Sequence, residues 1–578
     1  MKNFRFQIAD EVAGDWSPGG SPTWRVGDGQ HFFVATWSDA GADYGWFGIY
    51  HDALSHLREQ AAALAQRITQ WTQRPGQGFR LATLSTQTPG WGLARGRADR
   101  IQVWRDPIGR LPLFWCRRRA GLEWGTRPAV LRGFSTEMRH ARVEKFLRWD
   151  CDSGRDDFWQ GTNRLRPGES ITVQGGSKPT FTNWWFRPVA ALRSAEPIAQ
   201  QVGDLLTNAL VDSTTRGGRL VSQSGGIDST LLLALMVEAG QQVETISMVD
   251  SSSPGFDERI AIQSIVDSLG VEGSFVSING ALQWGKPSVH HPLIDLGPSS
   301  HPEAAYFRHF LDRLSYLPES DHQKTLIMGL GADQLFWCSP HYYVLDTMRD
   351  VSNWAPALQA GKWRKVADAL MTKFGLAKVP VFRSESARHS PWIRGDELPG
   401  QYTVWRENFE PRRWLHQKQR QFQSWSWECS MRLIERHRRT TGVLFICPYL
   451  QPEIVELSWR LAPRYLWADG FSKWPLRRLL SGRLPPQIVE RPKSGLFDEV
   501  VWKGLRNHFS PSLESLFGGP RLRRLQSFDE SVFRSNIQML KCGSVDQFRA
   551  VGNRFWCAVA AELWLRELTQ NSCDGRWD

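Results

Sequence analysis

The sequence predicts an α+β region with antiparallel sheets, followed by an α/β region built on a parallel sheet with added helices. Three observations carry this. The chain has 578 residues, more than one core usually organises. Up to about Pro188 it is rich in Gly, Trp and short β-like runs separated by turn signals. From about Ala190, helical periodicity alternates with buried apolar runs, the pattern of parallel strands joined by crossover helices. The two domains are therefore expected at 1–189 and 190–578.

In the first region "HFFVATW", "RIQVW", "LPLFWC" and "SITVQGG" read as strands, and "DALSHLREQAAALAQRITQWTQ" as one helix. In the second, "IAQQVGDLLTNALVDST" reads as a helix, "RLVSQS" as a strand and "TLLLALMVEAG" as a buried helix. "QVETISMVD" is the next strand and "DERIAIQSIVDSLG" the next helix, while "KTLIMGLGAD" is a strand running into a glycine turn. Beyond about Asp350 the chain reads as mostly helical, ending in the amphipathic "DQFRAVGNRFWCAVAAELWLRELTQ".

Composition narrows the function classes. The net charge of +12 suits an anionic partner. The basic residues are scattered, however, and clusters such as Arg436-His437-Arg438-Arg439 read as solvated faces, so no nucleic-acid partner is expected. The 8 cysteines form no C-x-x-C pair, and those in apolar runs, such as Cys447, read as reduced core residues. No apolar targeting segment or membrane span is evident, which predicts a cytoplasmic protein without a membrane partner.

The chemistry concentrates in "SQSGGIDST". A strand ending near Ser222 feeds a turn of Ser224, Gly225 and Gly226, and a helix begins near Asp228. Glycines let backbone N–H groups approach an anion, and the helix N-terminus adds further donors and partial positive charge. Ser222, Ser224 and Ser229 offer hydroxyls to phosphate oxygens. Asp228 would repel an anion unless a bridging Mg²⁺ joined the two. The stretch lacks the lysine of a Walker A loop and is not G-x-G-x-x-G. It resembles the S-G-G-x-D-S loop of ATP pyrophosphatases. A second strand-to-turn, "LIMGLGADQLF", places Gly329 in the turn and ends in Asp333, a candidate second metal carboxylate. A third, "KWPLRRLLSGRLPPQIVERPKSGLF", offers Lys493 to an α-phosphate and a developing oxyanion.

These stretches, in this order, resemble the asparagine synthetase B family. "RDPIGRLPLFW", "FWQGTNRLRPGESITV" followed by "WWFRP", and "DERIAIQSIVDSLG" resemble further family segments. The resemblance implies an N-terminal Ntn-glutaminase-like domain and a C-terminal synthetase domain that makes AMP. It implies ATP and Mg²⁺ as cofactors, with Asp228 and Asp333 as metal ligands and Lys493 as catalytic lysine. Adenine would lie near Met248. Glutamine-dependent members need a cysteine after the initiator Met. Lys2 stands there, so the first domain is expected to be degenerate. Leu330 occupies the position between the second-turn glycines where β-lactam-type relatives carry Tyr and asparagine synthetases Glu. A peptide α-amine, with a reference pKa near 8, needs little help from a base. The chain thus resembles most the lasso-peptide cyclase branch, which joins a precursor's Asp or Glu side chain to its own N-terminal amine. A precursor peptide, a leader peptidase and a leader-binding protein are then expected partners, and Trp425 and Trp427 candidate walls of a peptide cleft. The rival readings are another amide or β-lactam-type ligase, a tRNA-modifying pyrophosphatase and a non-catalytic peptide-binding scaffold.

Overall fold

The computed structural model describes residues 5–8, 12–15, 23–26, 32–39, 42–49, 91–97, 100–118, 121–128, 137–148, 154–174, 177–185, 198–212, 219–250, 257–278, 325–338, 421–441, 443–491, 516–542 and 554–566, with isolated residues between them. Chain order begins with the strands β1 (Arg5–Ile8), β2 (Val12–Asp15), β3 (Thr23–Val26), β4 (Phe32–Asp39), β5 (Ala42–Ile49), β6 (Trp91–Arg97), β7 (Arg100–Arg105), β8 (Phe114–Arg118) and β9 (Gly121–Gly125). Helix α1 (His140–Leu147) follows, then β10 (Asn163–Arg164), β11 (Glu169–Gln174) and β12 (Thr180–Asn183). These strands pair antiparallel. The largest sheet has seven strands in the order β12-β11-β7-β6-β5-β4-β3, and a three-stranded sheet has the order β10-β8-β9.

Beyond them the pairing changes sign. Helix α2 (Ile198–Asp212) leads to β13 (Arg219–Ser222), α3 (Ile227–Glu238), β14 (Val243–Val249), α4 (Arg259–Leu269) and β15 (Glu272–Ser277). Later come β16 (Thr325–Ile327), α5 (Ala332–Phe336), α6 (Trp425–Thr441), β17 (Leu444–Ile446), α7 (Pro452–Trp459), the hairpin β18 (Trp467–Ala468) and β19 (Phe471–Ser472), and α8 (Trp474–Leu480). Strands β13 to β17 form one five-stranded sheet, parallel throughout, in the order β15-β14-β13-β16-β17. Both parts of the predicted fold class are therefore present.

Burial explains why α3 forms. Its sequence IDSTLLLALMVE is apolar on every side, and every residue from Ser229 to Met236 is buried. A helix of that composition has to be covered all round. It packs on β13 and β14 on one side and on α2 and α8 on the other. The largest apolar cluster runs through it and continues into the antiparallel part at Trp91, Leu93, Trp104 and Trp184.

A buried ionic network also ties the antiparallel part to α6. Glu428 of α6 accepts from Arg105 at 2.9 Å and from Arg432 at 3.3 Å, and Arg164 lies 3.6 Å away. Arg432 reaches Asp157 at 3.1 Å. All five side chains are essentially dry. Burial would raise the Glu428 carboxyl, but the three guanidinium groups outweigh it and hold the pKa at about 2. The "RDPIG" motif is thereby explained as architecture. Arg105 enters the network, and Asp106 accepts the N–H groups of Ile108, Gly109, Arg110 and Leu111, closing the turn that follows.

Three expectations change. Trp425 does not line a cleft. It is buried against Phe158, under the guanidinium groups of Arg142 and Arg432, with its indole N–H donated to the Pro298 carbonyl. Of the supposed solvated basic face, His437 and Arg438 are buried, and Arg438 is paired to Glu435 at 2.9 Å. A strand, β17, lies inside the section read as mostly helical. Its three residues are too few to display a period. Among the described residues no helix is long and apolar enough to cross a membrane.

Candidate active site

Strand order decides where a site can form. From β13 the chain steps outward to β14 and β15, then returns to place β16 on the other side of β13. Such a reversal opens a crevice at the carboxyl ends of the two adjacent strands. Both sequence-predicted turns lie there, Ser224 to Gly226 after β13 and Gly329 to Gly331 after β16.

The first turn is held from within. Gly225 has φ +72°, which favours glycine. Its N–H donates to Gln223 Oε1 at 3.1 Å, and the Gly226 N–H reaches Ser224 Oγ at 3.4 Å, a long bond that an anion can replace. Ser224 and Gly226 are exposed, Ser222 is half-buried, and Ser229 is turned inward, its hydroxyl donating to Gln223 Oε1 at 2.5 Å. Ser224 and Gly226 are therefore the exposed polar edge of the turn.

The second turn packs tightly on the first helix. A Cβ on Gly329 would stand 3.0 Å from Asp228 Cβ and 3.2 Å from the Ser229 nitrogen. Gly331 has φ +101°, and a Cβ there would collide with Leu450 Cδ2 at 2.4 Å. Leu330, between the two glycines, packs against the main apolar cluster. The close approach at Gly329 brings the starts of α3 and α5 together.

Asp228 and Asp333, in the first turns of those helices, consequently face one point, and Lys473 fills it. Its Nζ lies 2.5 Å from Asp228 and 2.7 Å from Asp333. The two carboxylates are thus near enough to share one cation. Burial pulls the Lys473 pKa down, but the two carboxylates outweigh it and the net shift is upward, so the ammonium stays charged. Lys473 itself sits at φ +60°, between the β18–β19 hairpin and α8. Tyr449 donates its hydroxyl to the Asp228 carbonyl at 3.0 Å.

A further cation borders the Ser-Gly-Gly turn. Arg491 pairs with Glu258 just before α4 and donates to the Gly225 carbonyl at 3.4 Å. Arg477 of α8 holds the same stretch by donating to the carbonyls of Val489 and Arg491. Lys493 follows Arg491 by two positions and lies outside the described residues. Met248, proposed for adenine, is half-buried near the end of β14, against two apolar clusters.

Sequence reading missed Lys473, Arg491, Glu258 and Tyr449. Lys473 opens the same stretch that holds Lys493, but no local spacing marks it, because its partners Asp228 and Asp333 lie far off in the sequence, Asp228 at 245 positions. Among the described residues no cluster of three or more metal-ligating side chains occurs. The two aspartates suit a hard cation that completes its shell with phosphate oxygens and water.

Beneath α5, Lys418 is buried and donates to the Leu335 carbonyl at 2.5 Å and the Ser458 carbonyl at 3.1 Å, tying α5 to α7. Burial pushes its pKa down to about 7. The unfolded chain keeps this proton to about pH 10.4, so between the two values it binds more protons than the folded state. Stability carried by this group therefore rises with pH from about 7 to about 10. Urea midpoints across that range should climb in the wild type relative to Lys418→Met; parallel curves would contradict the assignment.

Comparison with known proteins agrees with the arrangement. The family model for asparagine synthase matches residues 204–566, which hold the whole parallel sheet and both aspartates. A Mycobacterium bovis protein provisionally named as a glutamine-hydrolyzing asparagine synthetase is 22% identical over 507 residues, covering 80% of this chain and 73% of its own. Its counterpart in Mycobacterium tuberculosis shows the same identity and coverage. With more than half its length matched by that family model, and with the two glycine turns meeting where the parallel sheet reverses, the chain belongs to the asparagine synthase family.

Proposed function

We propose that the protein is an ATP-dependent, AMP-forming amide ligase, and that its substrate is a peptide it closes into a macrolactam, as a lasso-peptide cyclase does. The observation that carries the ligase reading is the convergence of Asp228 and Asp333 on one cation, beside an exposed Ser-Gly-Gly turn. In this reading the turn from Ser222 to Ser229, with Gly329, borders the nucleotide phosphates, and Met248 lies toward the base. Asp228 and Asp333 would hold Mg²⁺, which when bound neutralises charge on the phosphates. A substrate carboxylate attacks the α-phosphorus and pyrophosphate leaves. An amine then attacks the acyl carbon, AMP departs, and the amine's surplus proton passes to solvent. Lys473, Arg491 and Lys493 supply positive charge around the reacting phosphates.

Support for the peptide substrate is coarser. Cys116, the first cysteine of the sequence, is buried within β8 and bonded to Glu123, a poor place for a glutaminase nucleophile. The antiparallel domain, placed at 1–189, is in this reading a degenerate glutaminase, and the amine comes from the substrate itself. Leu330 replaces an acid–base side chain that an already nucleophilic α-amine does not need. A leader peptidase and a leader-binding protein would prepare the precursor. The test is mass spectrometry of a candidate precursor peptide incubated with ATP and Mg²⁺. Loss of one water, matched by AMP, is expected, and Asp228→Ala should abolish both. ADP as product, or persistence in Asp228→Ala, would overturn the reading.

A further inference from the structure

A cavity of about 370 Å³ opens beside Asp333, between α5 and the start of α6. Its walls include Asp333, Gln334, Trp337, Gln421, Trp427 and Ser430. Apart from the indole N–H groups, which only donate, every polar group named can act as an acceptor, and no lysine or arginine is among the described lining residues. The side-chain oxygens of Gln334 and Gln421 are buried and accept no hydrogen bond among the described residues. A buried acceptor without a donor is costly, and in a native site it marks a place for a donor from outside. Trp337, 44% exposed, stands at the wall as an open indole face, and Trp427 is fixed by donating its N–H to the Ile108 carbonyl at 2.7 Å. Carboxylate, carbonyl oxygens, hydroxyl and indole faces together attract an ammonium or amine and repel an anion.

We infer that this cavity is the subsite for the amine substrate, taking a primary α-amine whose N–H groups donate to Gln334 and Gln421 while Trp337 covers its flank. The inference rests on the ligase reading for the amine's role as nucleophile. Asp333 joins the two places, since it lines the cavity and also contacts Lys473 at 2.7 Å. An amine held here would stand next to the carboxylate being activated, the proximity that makes a two-substrate reaction effectively unimolecular.

The test reads amine binding without nucleotide, so it does not depend on the ligase chemistry. Glycinamide, a peptide N-terminus in miniature, is titrated into the full-length protein near pH 7 and followed by saturation-transfer NMR. Acetamide, which has the amide but no amine, is the control. Glycinamide should bind and acetamide should not. Gln334→Leu/Gln421→Leu should weaken glycinamide at least ~10-fold, the loss expected for charged-donor hydrogen bonds. Trp337→Ala, a change at a half-open surface, should also weaken it and serves if the double variant does not fold. Equal binding of acetamide, or unchanged affinity in the folded variants, would overturn the inference. Glycinamide binding in a protein that makes no AMP with any peptide would support the amine site while removing the ligase reading.

Discussion

Glu428→Gln lowers the unfolding free energy by about 3–5 kcal/mol, the cost of leaving buried charges without their counter-ion. The substitution keeps shape and volume, so packing contributes little to the loss. What remains is a dry pocket in which Arg105, Arg164 and Arg432 have lost a carboxylate within 3.6 Å of each of them. The same quantity has a pH signature. The folded pKa of Glu428 is held at about 2, below the ordinary 4.5. A carboxyl depressed in the folded state contributes stability that is complete above the unfolded pKa and is lost as pH falls through the folded one. The shift corresponds to about 3 kcal/mol. Denaturant unfolding of wild type and variant at pH 7 and pH 3 measures both effects. The gap should be large at pH 7 and shrink on acidification. A difference below about 1 kcal/mol at pH 7 would show that the network does not join α6 to the antiparallel domain.

Lys473→Met slows amide formation by about 10²–10³-fold, the usual cost of removing one preorganised charge from a reacting phosphoryl or acyl centre. It also has an opposite effect that a general loss of structure cannot mimic. With the ammonium gone, Asp228 and Asp333 face each other without the cation that now lies within 2.7 Å of both. A divalent ion then meets no competitor, and Mn²⁺ should bind the nucleotide-free variant more tightly than the wild type. Isothermal titration with Mn²⁺ and a pyrophosphate-release assay read the two halves. A variant that binds Mn²⁺ no better, or that keeps wild-type turnover, would remove Lys473 from the site.

The sequence carried the fold wherever a segment was long enough to express a period. The run TLLLALMVE could only be a buried helix, and the strands on either side of it alternate with helices as a parallel sheet requires. The three-residue β17 and the two-residue strands of the Lys473 hairpin fell below that threshold. The site divided in the same way. Asp228 and Asp333 each stand next to a glycine turn, and the turns announced them. Lys473 has no local mark, because what places it is a left-handed residue between a hairpin and a helix, folded onto carboxylates distant in sequence. Aromatic enrichment alone does not distinguish a cleft wall from a ring packed under buried guanidinium groups, which is where Trp425 lies.

The central claim is that one pocket, at the reversal between β13 and β16, holds both metal and phosphates. A crystal structure with Mn²⁺ and an ATP analogue that cannot be cut between the α and β phosphates tests it most directly. The account predicts an anomalous Mn²⁺ peak bridging Asp228 and Asp333, with phosphate oxygens beside Ser224 and Gly226. Nucleotide bound elsewhere, or Mn²⁺ away from both aspartates, would contradict it.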